Sequence, residues 1–140
     1  MAQLGPALPI RMRIQDDAHA VIISQQAFRL AGTLQFSRIE QTALSIAVLE
    51  IARNIVKYAG SGEVEITPVC SEGATEIVVV AEDQGPGIPD LELALEDGFS
   101  TGKSLGLGLP GARRLMDSFD IVSAPGKGTT IRMKKVKHDR

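Results

Sequence analysis

Residues 77–87 read IVVVAEDQGPG, and this stretch decides the architecture around which the rest of the chain must fold. Its nearly continuous apolar start predicts a strand that is central in a sheet. The strand ends in a carboxylate, Asp83, and two glycines, Gly85 and Gly87, let the backbone pass close to a flat ligand. Such a carboxylate can accept a hydrogen bond inside a pocket, although a turn capped by Asp83 explains the motif equally well.

The chain before this strand predicts two helices and two further strands. Asp16 or Asp17 offers an N-cap for the first helix, and Ser37 with Glu40 forms a capping box for the second. The predicted elements are a strand over 10–14, a helix that stops near Gly32, a helix from Ser37 to about Tyr58 that ends at Gly60, and a strand over 64–67.

The chain after residue 87 is rich in glycine and closes with a helix and a hairpin. The predicted elements are a helix over 109–119 with Pro110 in its first turn, a strand over 121–123, a turn over 125–128 and a strand over 130–133. The whole order implies an α+β fold. We expect a two-layer α/β sandwich in which helices cover one face of a mixed, mostly antiparallel sheet, with residues 1–140 as a single domain and 1–8 as a loose tail.

Composition excludes several classes of function. The chain has 140 residues, a formal net charge of −2 and 44% hydrophobic residues, which do not fit a polybasic nucleic-acid binder or a disordered acidic chain. One cysteine excludes an intramolecular disulfide framework and a cysteine-rich zinc site. No apolar run reaches the length of a membrane span, and the N-terminus lacks the pattern of a secretory signal. A cytoplasmic protein is the expectation.

Glu50 and Asn54 lie four residues apart on the second predicted helix, so their side chains share one face. Spacing alone fits an ordinary solvated polar face. The same spacing also suits a site in which Asn54 gives Mg²⁺ an oxygen ligand and Glu50 accepts a proton nearby. Magnesium takes few protein ligands and completes its shell with water and phosphates, so one amide oxygen can be enough.

Residues 102–108 read GKSLGLG and precede a predicted helix. Backbone N–H groups and the positive end of a helix dipole favour phosphate at such a place, and Lys103 adds a cation. Seven of the 14 glycines stand between Gly85 and Gly111, a density typical of a linker or of a ligand-binding loop. Too little chain follows to form a second domain, which favours the binding loop.

Four segments together resemble the GHKL ATPase superfamily, the Bergerat-fold group of gyrase, Hsp90, histidine kinases and MutL. They are EIARN at 50–54, similar to its N-box, DQGPG at 83–87, similar to its G1 box, residues 102–108, similar to its G2 lid, and GKGT at 126–129, similar to its closing glycine-threonine motif. Each motif alone is weakly specific, whereas the four in this order over residues 40–135 are specific. The resemblance implies ATP and Mg²⁺ as cofactors and a glycine-rich ATP lid.

The resemblance also implies a role for each matching residue. Glu50 would be the base that accepts the substrate hydroxyl proton, Asn54 would hold Mg²⁺, and Asp83 would read the N6 amino group of adenine. The remaining expected ATP contacts are Gly85, Gly87, Gly102, Lys103, Ser104, Gly106, Leu107, Gly108 and Thr129.

A narrower resemblance concerns the bacterial serine kinases of partner-switching cascades. The run from Asp97 to Asp117 is similar to the RsbT family of stressosome switch kinases, and less similar to the anti-sigma kinases RsbW and SpoIIAB. It implies a serine/threonine kinase that phosphorylates STAS-domain scaffolds of the RsbS and RsbR type. Release from the scaffold would let it bind a downstream effector such as a PP2C-type phosphatase. An anti-sigma factor that sequesters a sigma subunit, and an ATP-binding module with little catalysis, are the alternatives.

Overall fold

A computed structural model describes residues 9–87 and 108–138 of the protein. Within these residues the elements, in chain order, are β1 (Ile10–Ile14), α1 (Asp17–Thr33), α2 (Arg38–Ala59), β2 (Gly62–Ser71), β3 (Ala74–Asp83), α3 (Gly108–Leu115), β4 (Ser118–Ser123) and β5 (Thr129–Val136). The predicted tail over 1–8 and the predicted phosphate-binding residues 102–107 lie outside the described residues. No helix in the described part is long and apolar enough to cross a membrane.

The strands form one sheet in the order β1-β2-β3-β5-β4, and each described pairing is antiparallel. The central position predicted for the apolar strand is confirmed, since β3 has two strands on each side. The helices lie on one face: α2 packs against β1, β2, β3 and β5, while α1 and α3 pack against α2. The predicted two-layer α+β fold is therefore confirmed.

The core lies between the helix layer and the inner face of the sheet. Its large side chains are aliphatic, and the fully buried ones include Leu44, Ile51, Ile66, Ile131 and Met133. Burial of each such side chain stabilises the fold by about 1.5–3 kcal/mol. Helix α2 packs between the sheet and the other two helices, and these contacts fix its position.

The capping box predicted for α2 is present, and its Glu40 also binds the C-terminal end of the described chain. Ser37 Oγ accepts a hydrogen bond from Glu40 N at 3.1 Å, and Glu40 Oε1 accepts one from Ser37 N at 2.9 Å. The second carboxylate oxygen of Glu40 accepts a hydrogen bond from His138 N at 2.9 Å. The His138 ring is in turn 2.9 Å from Asp117 Oδ1. These contacts, which we call the C-terminal clasp, join the first turn of α2 to the segment after β5.

The helix predicted over 109–119 is wrong in its second half. Helix α3 ends at Leu115, and β4 begins at Ser118. Asp117 N donates a hydrogen bond to Lys134 O at 2.9 Å, and Asp117 Oδ2 accepts one from Val136 N at 2.7 Å. Pairing with β5 therefore draws this segment into the sheet, although its apolar residues are spaced as in a helix.

The strands over 64–67, 77–81 and 130–133 were predicted too short. The structure extends them to β2, β3 and β5 because the β2–β3 hairpin and the end of β5 continue past the inner apolar residues. Residues near the hairpin turn, such as Val69 and Cys70, are exposed and give no core pattern. Helix α1 likewise runs one residue beyond the predicted stop at Gly32.

Candidate active site

Three polar side chains lie in one row across the end of the sheet. Asp83 of β3 pairs with Thr129 of β5, which pairs with Ser123 of β4. Residues directly opposite each other in paired strands have side chains on the same face. Asp83 and Thr129 are only 6% and 5% exposed, so this row forms a buried polar wall beside the aliphatic core.

The row faces the helix layer, and a glycine makes room beside it. Gly62 of β2 pairs with Asp83, and a Cβ added at Gly62 would lie 2.9 Å from Cγ2 of Ile55 on α2. Buried Ile14 of β1 lies next in the same row. The polar wall therefore borders the interface between the sheet and α2.

Asp83 is held in place by the loop that follows it. Its Oδ1 accepts a hydrogen bond from Gly85 N at 2.9 Å. Within residues 9–87 and 108–138, no hydrogen bond is formed to its Oδ2. The carboxylate thus has a fixed orientation, and among the described residues no donor occupies its second oxygen.

The glycines of the loop fit between α2 and the β4–β5 turn. A Cβ on Gly85 would collide with Ala59 at the end of α2, and a Cβ on Gly87, which has φ +84°, would overlap the carbonyl oxygen of Ala124. Gly126 N donates a hydrogen bond to Pro86 O at 2.7 Å. Close approach on both sides therefore requires glycine at 85 and 87, which gives these residues a packing role beside any ligand contact.

Glu50 of α2 lies against the start of α3. It is 8% exposed, and its Oε1 accepts a hydrogen bond from Gly108 N at 3.3 Å. A solvated polar face, the alternative left open by the spacing, does not describe this side chain. A carboxylate in this place also complements the positive end of the α3 dipole.

Asn54 lies one turn beyond Glu50 on α2 and is half-buried. Its side-chain amide forms no hydrogen bond to any residue of the described part. Within that part, no group of three or more His, Cys, Asp or Glu side chains could hold a metal ion. An amide oxygen without a partner among the described residues fits a magnesium site of few protein ligands, completed by water and phosphate.

The structure thus brings some of the predicted site residues together and leaves others undescribed. The polar wall joins Asp83 to Thr129, the loop joins Gly85 and Gly87 to it, and Glu50 contacts Gly108. Gly102, Lys103, Ser104, Gly106 and Leu107 lie outside the described residues.

Ser123 is a member of the polar wall that sequence analysis missed. Its Oγ lies 2.8 Å from Thr129 Oγ1. The length of the β4–β5 turn could have identified it. A hairpin loop over 124–128 places residue 123 opposite residue 129. The predicted strands, which end at 123 and begin at 130, differ from this register by one residue.

The chain is similar to known proteins both in sequence and in fold. Residues 39–140 match the family described as histidine kinase-, DNA gyrase B-, and HSP90-like ATPase. The chain is 44% identical to the serine/threonine-protein kinase RsbT of Bacillus subtilis (strain 168) over 124 residues, which cover 89% of this chain and 93% of that protein. It is 30% identical to an anti-sigma F factor of Thermoanaerobacter sp. (strain X514) over 102 residues, 69% of this chain and 71% of that protein.

Two solved structures share the fold. One contains the RsbU and RsbW domains of a protein from Mycobacterium tuberculosis and superposes with a TM-score of 0.62 at 16% identity, covering 96% of this chain and 34% of that one. The other is the mycobacterial sensor histidine kinase MprB, with a TM-score of 0.53 at 21% identity, covering 94% and 98%. On the family match and the identity to RsbT, the chain belongs to the histidine kinase-, DNA gyrase B- and HSP90-like ATPases, and within them to the RsbT-like serine/threonine-protein kinases.

Proposed function

We propose that this kinase transfers the γ-phosphoryl group of Mg-ATP to a serine or threonine of a STAS-domain scaffold protein. Phosphorylation would release it, in the cytoplasm, to bind a downstream effector such as a PP2C-type phosphatase. The observation that carries the proposal is the buried carboxylate of Asp83, fixed beside Thr129 at the edge of the helix layer. The 44% identity to RsbT supports a switch kinase rather than another member of the family.

Asp83 and Thr129 would recognise the base. Oδ2 of Asp83, which accepts no hydrogen bond from a described residue, suits an N–H donor such as the N6 amino group of adenine, since an ionised carboxylate only accepts hydrogen bonds. Burial makes this contact selective, because a ligand that offers an acceptor there leaves two buried acceptors facing each other. Gly87 lets the loop backbone lie near the flat ring.

Asn54 would hold Mg²⁺ through its amide oxygen. The ion, when bound, supplies positive charge that neutralises the phosphates during transfer. Lys103 and the glycines between 102 and 108 would bind the phosphates, as their resemblance to the glycine-rich lid of the family implies. Helix α3 supports that role, since its N-terminus starts at Gly108 and helix N-termini favour anions.

Glu50 would accept the proton of the substrate hydroxyl. One carboxylate oxygen accepts the Gly108 hydrogen bond, which fixes the side chain, and the second oxygen, which has no donor among the described residues, would take the proton. The hydroxyl oxygen then bonds to phosphorus while the ADP oxygen leaves, and the proton resides on Glu50. Because phosphoryl transfer depends on positioning and charge neutralisation, a fixed base is well matched to this reaction.

The test is phosphorylation in vitro. The protein is incubated with labelled Mg-ATP and purified STAS-domain proteins of the RsbS and RsbR type, and the products are mapped by mass spectrometry. We expect one phosphoserine or phosphothreonine on the STAS protein and none when Glu50→Gln replaces the native kinase. Tight ATP binding without transfer to any STAS protein would contradict the proposed substrate.

An anti-sigma factor is the second candidate, because the anti-sigma F factor match extends over 69% of this chain. Such a protein would bind an RNA polymerase sigma subunit directly. Titration with purified sigma factors, followed by analytical gel filtration, separates the two candidates. A nucleotide-dependent sigma complex would favour this alternative, and its absence together with STAS phosphorylation would favour the switch kinase.

A further inference from the structure

Helix α3 has a charged side chain from another element at each of its ends. At its first residue, Gly108 N donates a hydrogen bond to Glu50 Oε1 of α2 at 3.3 Å. At its last residue, Leu115 O accepts one from Nζ of Lys135, on β5, at 2.8 Å. An acid at the N-terminus and a cation at the C-terminus are the charges that complement the helix dipole. Both ends of the helix are therefore attached to other parts of the fold.

The direction of the bond to Leu115 is unambiguous. A lysine ammonium can only donate hydrogen bonds, and a carbonyl oxygen can only accept them. The last carbonyl groups of a helix have no partners within the helix, so a donor from another element satisfies one of them here. Lys135 also interacts electrostatically with Asp117. This is a second contact of the ammonium, and a variant at Asp117 can separate it from the first.

Lys135 extends from the inner face of the sheet, where a charged side chain needs a partner. It follows fully buried Met133 by two residues on β5 and pairs with fully buried Ile77 of β3, so it shares their face. Its neighbour Lys134 extends from the opposite face, where its Nζ lies 3.9 Å from Glu76 Oε1. Two adjacent lysines of one strand thus differ in role: one forms a surface ion pair, and the other attaches β5 to α3.

The attachment matters because α3 is short. Its eight residues form about two turns, and a helix of that length is marginal without tertiary contacts. Leu109 and Ala112 are buried in the core, while the bonds at the two ends limit how far the helix can shift along its own axis. A shift at Leu115 moves Gly108 as well, because the hydrogen bonds of the helix join its two turns into one unit.

We propose that Lys135 is a positioning residue for catalysis: by holding the C-terminus of α3 against β5, it fixes Gly108 where its N–H orients Glu50 toward the substrate hydroxyl. The inference rests on the proposed function, in which Glu50 is the base. Phosphoryl transfer depends mainly on positioning, and a displacement of about 1 Å can slow a reaction by roughly 10². Lys135 acts through α3 and takes no part in the reaction itself.

Lys135→Met is the test variant, since it keeps an unbranched apolar stem and removes the donor. The rate of transfer to the STAS substrate is measured in single turnovers at saturating Mg-ATP, and the affinity for ATP is measured by calorimetry. We expect the rate to fall roughly tenfold and the affinity to change much less. Lys135→Arg, which retains a cationic donor, should restore most of the rate. Lys134→Met, the control on the opposite face, should keep the native rate.

A second readout does not depend on activity. Hydrogen exchange of the Gly108 amide, followed by NMR, should be faster in Lys135→Met, whereas exchange of β3 amides such as that of Val79 should stay native. In a Glu50→Gln background the base is absent, so Lys135→Met should slow transfer little further, while a merely structural role would add the same loss in both backgrounds. Should methionine prevent folding, Lys135→Gln, whose side chain ends one bond short of the native one, is measured in the same way.

The outcomes separate this inference from the proposed function. A native protein that phosphorylates no STAS protein would remove the reaction and the inference with it. Where the native protein is active, a native rate or unchanged Gly108 exchange in Lys135→Met would overturn the inference alone.

Two further results would also overturn it. Asp117→Asn keeps an oxygen to accept the hydrogen bond of Val136 N and should leave the transfer rate near the native value. A loss in that variant equal to the loss in Lys135→Met would mean that Lys135 acts through Asp117 and not through α3. A loss of ATP affinity in Lys135→Met, with a native rate at saturation, would mean that α3 positions the phosphates and not Glu50.

Discussion

Glu50 and Asn54 share a face of α2, yet their surroundings differ and suit them to different roles. Glu50 is buried and bonded to Gly108 N, whereas the Asn54 amide has no hydrogen bond to a described residue. A group already held by the protein is suited to a fixed proton acceptor. A group with an open oxygen is suited to an incoming ligand.

Glu50→Gln should separate catalysis from binding. Glutamine keeps an oxygen for the Gly108 hydrogen bond and removes the base, so ATP affinity should stay near the native value. Single-turnover phosphotransfer to the STAS substrate should slow by roughly 10²–10⁴, the usual contribution of a positioned general base. Native-rate transfer by this variant would mean that Glu50 is not the base.

Asn54→Ala should weaken binding in a way that depends on the metal. The substitution removes the proposed magnesium ligand, so the affinity for ATP should fall when Mg²⁺ is present and stay unchanged when EDTA removes it. Fluorescence titration with a labelled ATP analogue measures both conditions. Equal weakening in the two conditions would point to a direct nucleotide contact instead.

At the scale of elements, the β4–β5 turn contains two glycines that have nearly the same φ angle but differ in the space around them. Gly126 and Gly128 have φ +76° and +77°, but only at Gly128 would a Cβ meet other atoms, those of Asp83 and Gln84. Gly126→Ala should therefore cost only the left-handed backbone penalty, about 1–2 kcal/mol of unfolding free energy.

Gly128→Ala should cost more, because the added Cβ displaces Asp83 as well. We expect a larger loss of unfolding free energy in urea and a clear loss of ATP affinity, whereas Gly126→Ala should keep its affinity. Should the two alanine variants match in both measurements, Gly128 would not be needed to position Asp83.

Elements whose signals are local could be predicted from the sequence. The capping box at Ser37, the apolar run of β3 and the Asp83 loop each lie within a few residues, and the structure shows all three. The end of α3 could not be predicted, because Leu115, Met116 and Phe119 are spaced as in a helix. Pairing of β4 with β5, together with the hydrogen bonds that Asp117 N donates to Lys134 O and Asp117 Oδ2 accepts from Val136 N, holds this part of the chain in the sheet.

The residues of the candidate site also differ in whether the local sequence could predict them. Asp83, Gly85 and Gly87 could be found because one short motif contains them. Ser123 depends on strand register, and the contact between Glu50 and Gly108 joins residues 58 positions apart. Neither relation is expressed in the local spacing of residues.

At the scale of the whole molecule, the C-terminal clasp ties the stability of the fold to pH. Burial alone would raise the pKa of Glu40, but the N–H groups of Ser37 and His138 outweigh it and hold that pKa below the ordinary 4.5. Burial likewise opposes ionisation of Asp117, and the Val136 N–H, His138 and Lys135 together lower its pKa below 3.8.

A lowered pKa in the folded state means that the unfolded chain binds more protons on acidification. The stabilisation is therefore complete above the unfolded values and is lost as pH falls through the folded ones. We expect the unfolding free energy to decline below pH 4.5 in urea titrations. Glu40→Gln, which retains the capping box, should flatten that decline. The control Glu72→Gln, at the exposed β2–β3 turn, should leave it unchanged.

The two edge strands of the sheet, β1 and β4, affect the solubility of the protein. A sheet edge exposes unpaired backbone groups that can recruit a strand from another molecule, and charged side chains and short strands oppose this. Here β1 has only five residues and carries exposed Arg11 and Arg13, while β4 carries exposed Asp120. These charges must lose their water before a foreign strand can add to either edge. They therefore protect the protein against aggregation through the edges of its sheet.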